Sequence, residues 1–490
     1  MRCNKSVAAG AAAVLWVAGV SASAGDIPLI DAVREQDREA VRALLRQKAD
    51  VNAREGDGAT ALHWAVVRDD VETIDGLLRA GANVKAANDY GVTPLSLACT
   101  NRNAAVVKKL LSAGADPNAA TSMGETPLMT CTRTGSVDGV TALFEHGATN
   151  VNAQEASHGQ TALMWAAAQE APDVVRALLA HGADVHARST SRLLPVSLGG
   201  GGGNFRDAVL QPQGGATPLL FAARHGRIDN ARLLLDAGAD VNEAAPNGES
   251  ALVTASFSGQ GAFAAFLLDR GANPNDTTAG YAALHAAVLR GDLELVKALC
   301  AHGADPNVRL TKGSRQQRDS SWYALSGALV GATPFLLAAK YAEIEIMRVL
   351  VGYGADHRLS ADDGTTPLMA IAGAGWTASG SANRRGQNFG VDAAQLIMAA
   401  GERPTFEGTR LALELGSDVN AADRNGNTAL HAAASLAFST VVQLLVDHGA
   451  KLDVKNKAGR APQDLICRDR AGKLVRPVGT VTPACPDPNR

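Results

Sequence analysis

From residue 58 onward the apolar residues fall in two alternating kinds of short cluster rather than in long blocks. One kind is a Leu followed by paired small residues, as in Leu219 with Ala222 and Ala223. The other places apolar side chains at helical spacing, as in Val106, Val107, Leu110 and Leu111, the stripe expected of a helix with one buried face. The polar positions between them supply the boundaries. A Thr stands where a helix N-cap is needed, and its hydroxyl can accept from a free backbone N–H. Pro often follows at the first helical position, where no N–H is missed. Gly114 and its equivalents end the second helix in a left-handed conformation, with Ala as the apolar contact. Asp-x-Asn then favours a turn. The pattern predicts pairs of short helices joined by turns.

The pattern repeats. A block Gly-x-Thr-Pro/Ala-Leu begins at Gly58, Gly91 and Gly124, and returns at Gly159, Gly215, Gly248, Gly280, Gly331, Gly364 and Gly426, with a degenerate copy at Gly459. The spacings are 33, 33, 35, 56, 33, 32, 51, 33, 62 and 33. The long ones read as 33 plus an insertion. A second block, Leu-Leu-x-x-Gly-Ala-Asp-x-Asn, closes the repeats, at Leu111 to Asn118, at Leu234 to Asn242 and more weakly at Leu444 to Asp453. One such repeat cannot bury its apolar face alone, so stacking is obligatory.

On these two blocks the chain resembles the ankyrin-repeat family over about residues 26 to 470. The resemblance implies an all-α repeat solenoid, an array of about ten full units plus capping units, each a β-turn finger followed by two helices. Residues 25–57 read as the N-terminal cap, and 58–188, 215–309, 331–375 and 409–470 as repeats, the last ending in a C-terminal cap. Three insertions separate them. The first, 189–214, holds five consecutive glycines, Gly199 to Gly203, read as a flexible linker. The second, 310–330, carries Lys312, Arg315, Arg318, Trp322 and Tyr323. The third, 376–408, falls between the helices of its repeat and predicts an extra helix over Val391 to Ala400. Long loops are usually functional or disordered. Residues 471–490 form an irregular Pro-containing tail.

Residues 1–24 read as a cleavable export signal. Arg2 and Lys5 precede an uncharged run from Val7 to Val20, and Ala22-Ser23-Ala24 offers the small residues a signal peptidase reads. The run is too short to span a bilayer, and no later segment is long and apolar enough. Cleavage after Ala24 leaves 44 basic against 49 acidic residues, a net charge of -5. A mildly acidic chain without basic runs makes a poor nucleic-acid binder. The expected location is periplasmic or secreted. A bacterial source is the leading expectation. In a eukaryotic secreted chain, Asn275-Asp276-Thr277 would instead be a glycosylation sequon.

Five cysteines remain after the signal: Cys99, Cys131, Cys300, Cys467 and Cys485. An exported chain meets an oxidising compartment. Cys467 and Cys485 are disulfide candidates outside the regular repeats. Cys99, Cys131 and Cys300 occupy helical positions normally filled by small apolar residues, so burial as separate thiols is the plainer reading. Cys99 and Cys131 nevertheless match in adjacent repeats, which leaves a bond between them open.

The chain lacks a Gly-x-Ser-x-Gly elbow, a phosphate loop and a His-Glu-x-x-His site. No cofactor or metal is expected. His63, His285 and His431 follow the Leu of the repeat opening. The resemblance implies that such histidines hydrogen-bond within and between fingers. His146, His181, His302 and His448 precede the Gly that ends a second helix, where a cation complements the helix dipole. The expected activity is not enzymatic. An enzyme using the third insertion, with Arg384, Arg385, Asp392, Glu402 and Glu407, is the minor alternative. An envelope docking or protective protein is another.

The resemblance implies instead a protein partner bound by finger tips and the concave face of the first helices. Carried onto this chain, the tip positions are Tyr90, Met123, His158, Glu249 and Tyr281. The ends of the first helices supply Arg133, Arg224, His225, Phe257, Arg290, Lys340 and Tyr341, and the second insertion adds Trp322 and Tyr323. Aromatic and Arg side chains anchor interfaces. The chain is expected to act as a monomer.

Overall fold

The computed structural model describes residues 28–196, 209–314, 325, 329–374, 403–468 and 474–475. Residues 1–27, the glycine run, most of the second insertion and residues 375–402 lie outside the described residues, so the signal, Trp322, Tyr323 and the helix expected at Val391 do too. The Cys467–Cys485 pairing also rests on side chains outside them.

The chain divides into two compact bodies, one ending at Ala156 and one beginning at Ser157. In the first, four helix pairs follow one another: α1 Pro28–Arg34 with α2 Arg38–Arg46, α3 Ala61–Val67 with α4 Val71–Arg79, α5 Pro94–Thr100 with α6 Ala104–Ser112, and α7 Pro127–Arg133 with α8 Val137–Glu145. The second opens with α9 Ala162–Ala168 and α10 Pro172–Ala180, then the strands β1 Ser191–Val196 and β2 Val209–Gly214. Its next pairs are α11 Pro218–His225 with α12 Ile228–Asp236, α13 Ala251–Phe257 with α14 Gly261–Asp269, and α15 Ala283–Arg290 with α16 Leu293–Ala301. There follow α17 Pro334–Lys340 with α18 Ile344–Gly352, α19 Pro367–Ile371 with α20 Arg403–Glu414, and α21 Ala429–Ser435 with α22 Ser439–Asp447. The short α23 Pro462–Leu465 and the two-residue strands β3 Cys467–Arg468 and β4 Leu474–Val475 complete it. The helix-rich repeat array expected from the sequence is the observed fold.

The local chemistry is the one the sequence implies. Thr93, Thr126 and Thr333 accept from the backbone N–H groups of Ser96, Met129 and Leu336 at 3.2–3.3 Å, capping the first helices. Val106, Val107, Leu110 and Leu111 of α6 are all buried, the stripe that packs inward.

Neighbouring repeats are also tied by polar ladders. Asn118 donates from Nδ2 to Gly147 O at 3.0 Å and accepts from Thr149 N at 3.0 Å. Asn275 bonds Gly303 O and Asp305 N in the same way, and Asn420 bonds Gly449 O and Lys451 N. The amide both donates and accepts, whereas a carboxylate could only accept, which explains Asn rather than Asp at these positions.

The ladders also show what the insertions leave intact. Arg54 reaches Ala87 O, 33 residues on, Arg188 reaches Ala244 O, 56 on, and Arg309 reaches Ser360 O, 51 on. The excesses, 56 − 33 = 23 and 51 − 33 = 18, match the excesses in Gly spacing. Each of these two insertions therefore leaves the bond across it in place.

Three features depart from expectation. The ends of the Gly-rich insertion form an antiparallel hairpin, β1 on β2, with Ser191 opposite Gly214 and Val196 opposite Val209. Each strand holds a proline, Pro195 or Pro212, a residue that disfavours sheet ladders, so nothing local marked a hairpin beside the glycine run. Helix α20 starts at Arg403, inside the stretch read as insertion up to Gly408. Gly408 sits in this helix because a Cβ would lie 2.4 Å from Ile371 Cδ1 and 2.7 Å from Ile344 Cδ1. Lastly, Cys99 and Cys131 are bonded, joining α5 to α7 with Cα atoms 4.5 Å apart. The reading of separate buried thiols is corrected for that pair. It holds for Cys300, which is free and buried, its thiol pushed up to about 11 by that burial.

Candidate docking surface

In the first body the residues just before the repeat glycines, Asp57, Tyr90 and Met123, recur every 33 residues. Their carbonyls accept from the next finger, from Asp89 N at 2.8 Å, Ser122 N at 2.9 Å and Ala156 N at 2.8 Å. The glycine that follows is required: at Gly91, with φ of 75°, a Cβ would lie 2.8 Å from Ser122 N. The backbone is thus fixed finger to finger while Tyr90 and Met123 stay 51% and 52% exposed.

The first helices carry a second set of large and charged side chains. Trp64 donates its indole N–H to Glu55 Oε2 at 2.6 Å, and the Arg34 guanidinium lies 4.6 Å from the ring centre. Arg133 pairs with Glu125 at 3.1 Å. In the second body Trp165 donates to Gln160 Oε1 at 2.5 Å. Trp64 and Trp165 were not singled out from the sequence. Each lies four residues past the Thr that opens its helix, and that spacing is the signal that marks them.

The remaining expected positions divide by burial. His158, Arg224 and His225 are exposed, and the carbonyl of His158 accepts from Thr190 N at 2.6 Å. Tyr281 is 3% exposed. Its hydroxyl donates to Glu249 Oε1 at 2.7 Å, and its ring centre lies 6.0 Å from that of Phe257. Arg290 donates from Nε to Phe257 O at 2.8 Å. The Tyr281 side chain is therefore part of the packing rather than an exposed tip, and Arg290 and Phe257 belong to the same cluster. Tyr341 is half-buried, and burial pushes its phenol up to about 12. Lys340 is buried, and that burial brings its amine down to about 8 against a smaller opposing pull from Asp363.

The hairpin adds an apolar surface the sequence did not flag. Leu193 and Leu210 are 65% and 67% exposed. With Pro195 and Pro212 they share one face, since Leu193 stands opposite Pro212 and Pro195 opposite Leu210.

Seven of the histidines make structural hydrogen bonds. Thr60 N donates to His63 Nδ1 at 3.1 Å, so the proton is on Nε2, which donates to Val92 O at 3.1 Å. His285 and His431 repeat this with Ala332 O and Arg460 O. Burial holds all three below the usual imidazole range, His285 at about 4. His146, His181, His302 and His448 place Nδ1 2.8–2.9 Å from a carbonyl one turn back in their own helices. They cap helix C-termini by direct donation rather than through charge alone. Among the described residues no group of three or more His, Cys, Asp or Glu side chains is placed to hold a metal, and no helix is long and apolar enough to cross a membrane.

A family model described as "Ankyrin repeats (3 copies)" matches residues 29–121, 107–189, 219–309 and 380–463. Human Ankyrin repeat and SOCS box protein 16 is 34% identical over 258 residues, covering 52% of this chain and 48% of that protein. The E3 ubiquitin-protein ligase KEG of Arabidopsis thaliana is 25% identical over 388 residues, 68% of this chain and 20% of its own. The chain thus spans about half of the first relative's length and a fifth of the second's. Among solved structures, the human ASB11 ankyrin repeat domain is 26% identical with a TM-score of 0.40, over 50% of this chain and 99% of that one.

Proposed function

We propose, from the premise that this chain belongs to the ankyrin-repeat family, that it is an exported scaffold which binds one protein partner through its finger tips and first-helix ends. The observation that carries the reading is the pair Tyr90 and Met123, held half-exposed on fingers whose backbones are bonded to one another. Such residues contribute contact area while the repeats supply rigidity. In the second body His158, Arg224 and His225 are the exposed candidates, and Trp322 and Tyr323 of the second insertion are assigned to binding as well. Ankyrin repeats generally mediate protein–protein binding, and the partner class follows from that.

Export is supported by the signal-like N-terminus and by the Cys99–Cys131 bond, because disulfides persist in oxidising compartments. Cell fractionation with N-terminal sequencing tests this part. A mature chain beginning at Gly25 in the periplasm or medium is the expected result, and an uncut chain in the cytosol overturns it. Capture from native extract by the immobilised mature chain, identified by mass spectrometry, tests the binding part. A single stoichiometric partner is expected. Absence of any captured protein across growth conditions overturns the reading.

A further inference from the structure

Lys340 ends α17 on the row that the first helices present. Its side chain is nine-tenths buried, at 9% exposure. Among the described residues its amine has neither a hydrogen-bond acceptor nor an ion-pair partner. Asp363, in the next finger, acts on it only from beyond ion-pair distance. Asp363 is itself exposed and accepts from Thr365 N at 2.8 Å.

The contrast with the other cations in this fold is informative. Arg290, at the end of the preceding first helix, donates to Phe257 O. Arg38 pairs with Asp70, and Arg227 with Glu170. In the next repeat, the position that matches Lys340, seventh after the capping Thr, is Gly373, and α19 has already ended at Ile371. No side chain is available at that position to approach the amine. A buried charge is costly unless it is paired, so an ammonium left unpaired within a packed repeat calls for a partner from outside it.

We propose that Lys340 receives a carboxylate, an Asp or Glu side chain of the protein partner, and this rests on the protein-binding reading given above. A single ammonium is a point charge that suits a monoanion. A phosphate group is usually held by an Arg fork or by several donors, and neither stands here. The acidic side chain enters beside the C-terminal end of α17 and pairs with the amine.

The test uses the full chain carrying isotope-labelled lysine, with an acetylated, amidated triglutamate peptide as probe and its triglutamine counterpart as control. The Lys340 signal is assigned with Lys340→Arg. The glutamate peptide is expected to shift that signal saturably and the glutamine peptide to leave it in place. In Lys340→Met the affinity for the glutamate peptide falls about tenfold, and melting stays the same or rises because an unpaired buried charge is gone. A lysine with a purely structural role would instead lower the melting temperature on substitution. A Lys340 signal unmoved by the glutamate peptide overturns the proposal without needing any variant, as does undiminished peptide binding in Lys340→Met. If the captured partner binds Lys340→Met as well as wild type, this inference fails while the protein-binding reading stands. If the peptide binds Lys340 and no protein is ever captured, the reverse holds.

Discussion

His63 Nε2 lies 3.1 Å from the carbonyl oxygen of Val92, one repeat further along the chain. Since Nδ1 of the same ring accepts from the backbone of its own helix cap, the imidazole must be neutral to serve both bonds. Protonation would point a new N–H at an existing N–H. The same geometry recurs at His285 and His431, so three joints between repeats depend on uncharged rings.

A pH dependence follows. The unfolded imidazole titrates near 6.5 and the folded His285 at about 4. Above 6.5 both states are neutral and the contribution to stability is complete. As pH falls below 6.5 the unfolded chain takes a proton the folded chain refuses, and stability is lost until about pH 4. His285 alone accounts for on the order of 3 kcal/mol across that window. Urea midpoints measured from pH 8 down to 4 should fall, with a shallower slope in His285→Gln. An equal slope in the variant contradicts the assignment.

The Cys99–Cys131 bond closes a separation of 32 residues between α5 and α7. Chain entropy assigns such a loop about 3–4 kcal/mol. Cys99→Ala with Cys131→Ala should lower the denaturation midpoint of the first body accordingly. Both sulfurs are fully buried, so dithiothreitol should leave the native bond intact until the repeats open, as read by thiol alkylation and mass spectrometry. Rapid alkylation of the native chain under mild reductant would contradict this burial.

Ala342 lies between α17 and α18 with φ of 53°, where Gly259 and Gly291 stand at the matching joints of other repeats. A non-Gly residue in this region is strained by roughly 1 kcal/mol. Ala342→Gly is therefore expected to leave stability unchanged or raise it, by up to about 1 kcal/mol, whereas most Ala-to-Gly changes lower it. Differential scanning calorimetry distinguishes the two.

The hairpin should be dispensable to folding. Excising residues 191–213, which is 23 residues, restores the Gly159-to-Gly215 spacing from 56 to 33. The bonds from Arg188 to Gly215 O and Ala244 O lie outside the cut. Melting should shift by the equivalent of about 1 kcal/mol or less, as expected for a change in loop length alone. Loss of cooperative unfolding in the second body would show that the hairpin is built into the stack.

The legible part of this fold was the part written in local signals. Thr93, Asn118, His63 and Gly114 each make bonds within a few residues or to the backbone of the next repeat, so the period alone exposes them. What escaped depended on contacts between elements. Tyr281 occupies a tip position, but Glu249 and Phe257 of the preceding repeat draw it inward. Lys340 stands at a helix end that the packing happens to enclose. The Cys99–Cys131 bond required both side chains to face the same joint, which matching repeat positions permit without requiring. At the first insertion the strands flank the glycines, and Pro195 and Pro212 within them argue locally against a ladder, so only the pairing itself revealed the hairpin.

The central claim is that Tyr90 and Met123 present contact area while their backbones carry the stack. Calorimetric affinity of the captured partner for Tyr90→Ala with Met123→Ala tests it most directly, with the melting temperature measured on the same samples. Binding at least tenfold weaker, on the order of 1.4 kcal/mol, with melting unchanged, is the expected result. Undiminished affinity in a folded double variant would contradict it.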